Sequence, residues 1–158
     1  MAEPRSLIRV ASLLLLLALP LTAAQALPPA AAQAELARID VVVTTASGRH
    51  HYAAELAATP EQQEYGLMFR TRMGAKQAML FPFALPRPAS FWMANTVLPL
   101  DLVFVGADGR VQNVGKGIPQ SRELVSSDDA AAAVLELNAG EAARIGIRKG
   151  SRVAYTLP

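Results

Sequence analysis

Hydrophobic and polar positions change period several times along the chain, and each change marks an element. Residues 39–45 are rich in β-branched side chains, with Asp40 opposite Ile39 and Val41, which predicts a strand. Ala46-Ser47-Gly48 makes a turn, and 49–57 is the return strand. In it His50, Tyr52, Ala54 and Leu56 share one face, His51 and Glu55 the other. Thr59 and Gln62 form a capping box around Pro60 at the first helical position, and Gly66 ends that short helix. Residues 78–83 and 89–94 are short apolar or aromatic strands. Pro82, Pro86 and Pro88 assign them to sheet edges or tight turns, because proline has no N–H for a ladder. The clearest hairpin joins 100–105 to 110–114 through Ala107-Asp108-Gly109. Residues 130–137 read both ways: their alanines favour a helix, but Val134-Leu135-Glu136-Leu137 alternates like a strand. Asn138 with Glu141 predicts a second capped helix running to Gly146. Lys149-Gly150 is a turn, and Val153, Tyr155 and Leu157 mark a last strand. The sum is an α+β, β-rich compact domain. It has six to eight short strands in a half-open, barrel-like sheet and two short helices.

The N-terminal pattern is different in kind. Arg5 and Arg9 precede an apolar run from Val10, Pro20 breaks it, and Ala24-Gln25-Ala26 supplies a small-x-small site. Residues 1–26 therefore read as a signal peptide cleaved after Ala26. The stretch from Val10 to Ala24 is 15 residues, short of the roughly 20 that span a bilayer. Residues 27–38, rich in Ala, Pro and Gln, form a flexible leader, and 39–158 form a single domain. The protein is thus expected in the periplasm or secreted, touching a membrane only during export.

Composition narrows the function. The chain has 158 residues, 15 basic and 13 acidic, and no cysteine. A disulfide framework, a thiol nucleophile and an iron–sulfur cluster are excluded. The near-balance of charge argues against a nucleic-acid partner.

Four blocks then stand in close order. They are Gly66-Leu67-Met68-Phe69-Arg70, Met79-Leu80-Phe81, Phe91-Trp92-Met93-Ala94-Asn95-Thr96 and Leu98-Pro99-Leu100-Asp101. With Leu135-Glu136-Leu137-Asn138-Ala139-Gly140 they resemble the family catalogued as domain of unknown function 192, over about residues 39–157. The resemblance implies a small, mostly exported domain with a compact β-rich fold, and no particular activity. This chain carries Ala94 where the family commonly has Lys, and Ser151 where many members have an acid.

Six residues are candidates for binding a ligand: Arg70, Trp92, Met93, Asn95, Thr96 and Asp101. The guanidinium of Arg70 can grip a carboxylate or phosphate, or form a structural ion pair with Glu136 or Asp101. Asp101 lies among apolar strand neighbours and must find partners, either as a ligand anchor or by accepting backbone N–H bonds from the turn at 95–98. Trp92 to Thr96 offer an apolar wall with a few polar groups, as a small-ligand pocket needs, or core packing with Asn95 in a left-handed turn. His50 and His51 point to opposite faces, and the spacing of Met68, Met73, Met79 and Met93 matches no metal motif, so neither metal nor cofactor is implied. No nucleophile elbow and no phosphate loop are present; Gly115-Lys116-Gly117 has neither the spacing nor a following helix signal. The expected role is a non-enzymatic envelope module that holds a small ligand or peptide between Arg70, the Trp92 segment and Asp101. A protein that docks an envelope partner, or a hydrolase using Asp101 as acid or base, are the alternatives.

Overall fold

The computed structural model describes residues 31–158. The proposed signal peptide and the first leader residues, 27–30, lie outside the described residues. Nine strands and two helices follow in chain order. They are β1 (Arg38–Thr45), β2 (Gly48–Leu56), α1 (Pro60–Tyr65), β3 (Gln77–Arg87), β4 (Ser90–Phe91), β5 (Leu100–Val105), β6 (Val111–Gly117), β7 (Val125–Ser126), β8 (Ala131–Asn138), α2 (Glu141–Ile145) and β9 (Arg152–Tyr155). Seven strands make one mixed sheet in the order β6-β5-β8-β3-β2-β1-β9, and β4 pairs with β7 in a small separate ladder. The large sheet curls until its two edge strands nearly meet. An isolated bridge joins Arg110 to Arg152, and Val111 N–H donates to the Ser151 carbonyl at 2.8 Å. The barrel is therefore half-open.

The curl gives the sheet an inner and an outer face. The inner core draws Val41, Tyr52, Leu80, Val103, Leu135 and Val153 from strands across the whole sheet, and α2 plugs it with Ala142 and Ile145. The outer core is built on the central strands, from Met79, Phe81, Leu102 and Phe104, and is roofed by Leu67, Met93 and Leu98 from loops.

Three elements depart from the sequence reading, each for a tertiary reason. Residues 130–137 become strand β8, because a central slot between β5 and β3 satisfies both backbone edges and outweighs the helical preference of alanine. β3 is a central strand that runs on to Arg87. Its prolines are tolerated because β2 ends opposite Leu80, which leaves the far half of β3 open on that side, with a register shift between Pro82 and Arg87. Asn138 does not cap α2; it ends β8, and its amide donates to the carbonyls of Met73 and Gly74. The N-cap position of α2 is Gly140, left-handed at φ 84° and without a side-chain bond.

By contrast α1 forms as its sequence dictates. Gln62 N–H donates to the Thr59 hydroxyl at 3.3 Å, and Thr59 N–H donates to the Gln62 side chain at 3.0 Å. Residues 31–37, which carry neither helix nor strand, are tied across this region. Gln33 donates to the Gly66 carbonyl at 2.7 Å, and Tyr65 donates its hydroxyl to the Ala31 carbonyl at 2.6 Å.

Candidate functional site

The two faces separate the candidate residues. Asp101 points to the inner face, paired across the ladder with Leu137, and is 0% exposed. One carboxylate oxygen accepts the Ala142 N–H at 2.8 Å, and Lys116 approaches the other at 3.5 Å. Asp101 thus supplies, from a distant strand, the cap that Gly140 cannot give α2. Its donor is the helix, not the turn at 95–98.

Arg70 lies on the outer face. Its guanidinium donates to Glu55 at 3.0 Å and to the Ala34 carbonyl at 3.2 Å, and Leu36 N–H donates to the same Glu55 oxygen at 2.8 Å. Arg70 is therefore paired, but with Glu55 rather than Glu136 or Asp101. The pair lines a cavity of about 400 Å³ with Phe69, Arg72 and Gln77. Glu136 also faces outward, two strands from Glu55 and between Met79 and Leu102. It makes no salt bridge among the described residues. One of its oxygens has no hydrogen-bond partner within the protein, and burial raises its carboxyl to about 8.

The Trp92 block forms a second outer feature. Trp92 is 52% exposed, whereas Met93 and Thr96 are buried. Met93 N–H donates to the Ser121 carbonyl, Gln120 N–H to the Thr96 carbonyl, and Phe69 N–H to the Asn95 carbonyl. These bonds tie the loop to its neighbours on both sides. Asn95 and Phe69 both sit at φ 62°, so this junction holds two non-glycine residues in the left-handed region. Met93 fits because Gly117 lies opposite: a Cβ there would meet the Met93 sulfur at 2.7 Å. The Gly-Lys-Gly segment therefore clears space for the loop.

Trp92 and Thr96 line an open cleft of about 350 Å³ with Tyr65, Phe83, Phe91 and Arg87. The Arg87 guanidinium stacks on the Phe83 ring at 4.0 Å, and Phe91 meets Phe81 edge-on at 5.1 Å. Past Phe83 the cleft continues along the open half of β3, beside Leu85 and Pro86.

The expected hollow shared by Arg70, Trp92 and Asp101 does not form. Asp101 is sealed on the opposite face of the sheet, and Arg70 and Trp92 line different cavities. Sequence reading missed Arg87, Tyr65, Phe83 and Phe91. The available signal was the aromatic pair Phe81 and Phe83 followed by an arginine held between two prolines.

With the geometry in view, the comparisons decide the family. The model of DUF192, described as an uncharacterised ACR, matches residues 41–155. The chain belongs to the DUF192 family. Among solved structures it is similar to a protein of unknown function from Novosphingobium aromaticivorans DSM 12444, at 44% identity and TM-score 0.75, covering 84% of this chain and 96% of that one. It is also similar to a protein from Sinorhizobium meliloti 1021 described as a candidate transcription regulator. That match has 40% identity and TM-score 0.74, and covers 78% of this chain and 97% of that one. No curated protein matches. Within this DUF192 chain no group of three or more His, Asp or Glu side chains that could hold a metal occurs among the described residues.

Proposed function

We propose that this DUF192 chain is an exported, non-enzymatic binding module of the cell envelope, and that its ligand occupies the aromatic cleft rather than a space reaching Asp101. The observation that carries the reading is the half-exposed Trp92 at the mouth of a cleft whose walls are otherwise anchored. An isolated indole is costly to leave in water, while a preformed apolar cleft with few polar groups suits a small ligand. The cleft asks for an apolar or aromatic body, with a hydrogen-bond-accepting or anionic end toward Arg87. Asp101 is a poor acid or base for hydrolysis, because both its oxygens are engaged and no face of it is open to substrate.

Trp92 is the only tryptophan and serves as its own probe. Its emission is followed while fractions of an envelope extract are added. At least one fraction is expected to shift it, less so in Arg87→Ala and equally in Asp101→Asn. Unchanged emission in every fraction, or a shift abolished only by Asp101→Asn, contradicts the reading. Export predicts that the protein recovered from its cells begins at Leu27, which mass spectrometry checks.

A further inference from the structure

Arg70 uses only part of its guanidinium. Glu55 takes one end of the group, accepting from Nη1 at 3.4 Å and from Nη2 at 3.0 Å. The side edge carries two further donors, the Nε–H and the second Nη2 proton. Nη2 donates there to the Ala34 carbonyl at 3.2 Å, but Nε is buried and has no hydrogen-bond partner within the protein. Buried donors without a partner are rare, and on a charged group they are costly. A carbonyl oxygen serves one donor of such a fork. A carboxylate serves both, through two parallel bonds.

The surroundings show what that edge suits. Ala32 and Glu35, in the strap on either side of Ala34, line the cavity of about 400 Å³ together with Arg70, Arg72 and Gln77. The acceptors there are engaged. Arg70 and the Leu36 N–H hold Glu55, Arg38 holds Glu35 at 3.0 Å, and the Gly74 N–H donates to the Gln77 side chain at 2.7 Å. Donors are left over. Arg72 is exposed and makes no salt bridge among the described residues. With Glu55 matched by Arg70 and Glu35 by Arg38, the charge of Arg72 has no counterpart. One carboxylate balances it, whereas a doubly charged phosphate overshoots. Leu67, Phe69 and Met73 complete the walls with apolar surface, and the volume is that of a small-molecule pocket.

We infer that this cavity is a second binding site, separate from the Trp92 cleft, and that it takes a monocarboxylate with a short apolar body. The carboxylate replaces the Ala34 carbonyl on the side edge of Arg70 and bonds Nε–H and Nη2–H together. Arg72 faces it, and Glu55 keeps the other end of the guanidinium. The strap of residues 31–37 is then the built-in competitor, because its own carbonyl covers the edge that the ligand needs. Nothing in this inference depends on export or on what fills the cleft.

The test is an NMR titration of the isotope-labelled protein at neutral pH that follows the Arg70 Nε–H resonance, identified by its loss in Arg70→Lys. The probes are butanoate as a free acid and acetyl-Ala-Ala-Leu as a peptide C terminus, with butanamide and inorganic phosphate beside them. At least one carboxylate is expected to move the resonance downfield and saturate, while butanamide leaves it in place. Saturation by butanoate alone assigns a free acid, and saturation by the peptide alone assigns a chain terminus; either supports the site. Arg72→Ala, at an exposed position that the fold does not need, is expected to weaken binding by about tenfold or more. In calorimetry Arg70→Lys, which keeps a charge for Glu55 but has no side edge, is expected to lose saturable binding. An Nε–H resonance that no carboxylate moves overturns the proposal. So do an equal response to butanamide, tighter binding of phosphate than of either carboxylate, and full affinity in Arg72→Ala.

Discussion

Two buried acids on opposite faces of the sheet, Asp101 and Glu136, are treated in opposite ways. On the inner face Asp101 is surrounded by apolar strands, yet its oxygens are both engaged, by the start of α2 and by Lys116. On the outer face Glu136 has an oxygen with no partner, Trp92 is half in water, and three non-glycine residues, Phe69, Asn95 and Gln120, hold left-handed backbone angles. Burial alone therefore does not point to function, since the most deeply buried acid is the one with a complete structural explanation. A half-exposed aromatic side chain at the mouth of an open cleft, as at Trp92, is the better guide.

The contrast breaks most severely at Arg70. Arg70→Ala strands the Glu55 carboxylate, whose side chain is 10% exposed, and should cost about 4 kcal/mol in denaturant unfolding. Survival without loss would mean that the strap of residues 31–37 does not depend on the pair. Next comes Glu136. Its carboxyl titrates near 8 in the fold and at about 4.5 when unfolded, so the unfolded chain releases its proton first as pH rises. Stability from this group is full below about pH 4.5 and declines toward pH 8. Glu136→Gln should therefore stabilise the protein by about 3 kcal/mol at pH 7 and flatten that slope. An unchanged slope would show that the carboxyl has found a partner.

Glu141 acts with the opposite sign. The Arg144 guanidinium, aided by the Tyr52 hydroxyl, holds its carboxyl down at about 2 against the cost of burial. Its contribution is present above about pH 4.5 and is lost as pH falls toward 2. Thermal melts from pH 2 to 9 should rise and then fall, and Glu141→Gln should remove the acid limb only.

On the inner face, Asp101→Ala uncaps α2 and leaves the Ala142 N–H buried, for a loss of about 2 kcal/mol. Hydrogen exchange should then speed up at α2 while the cleft is unaffected. The smallest effect on stability is expected at Trp92, where Trp92→Ala should stay within about 0.5 kcal/mol, as surface substitutions generally do.

Local chemistry was legible in the sequence where neighbours decide it. The Thr59–Gln62 capping box, the 100–105 strand and the alternation around Val153 need only a few adjacent residues. The half-open barrel was legible from strand number and spacing. Choices of partner were not. Arg70 bonds Glu55 because the loop after α1 folds over the end of β2, and nothing in the spacing of Arg70, Glu136 and Asp101 reveals which of them shares a face. The cap of α2 is likewise a long-range bond, so Asn138 offered a local signal that the ladder overrode. The cleft draws its walls from α1, β3, β4 and the loops, and becomes visible only once these are packed together.

The most direct test is a high-resolution crystal structure of the protein isolated from its own cells without refolding. Ordered ligand density is expected between Tyr65, Phe83 and Trp92, within reach of Arg87. Ligand density inside the barrel against Asp101, with the cleft holding only water, would contradict that expectation.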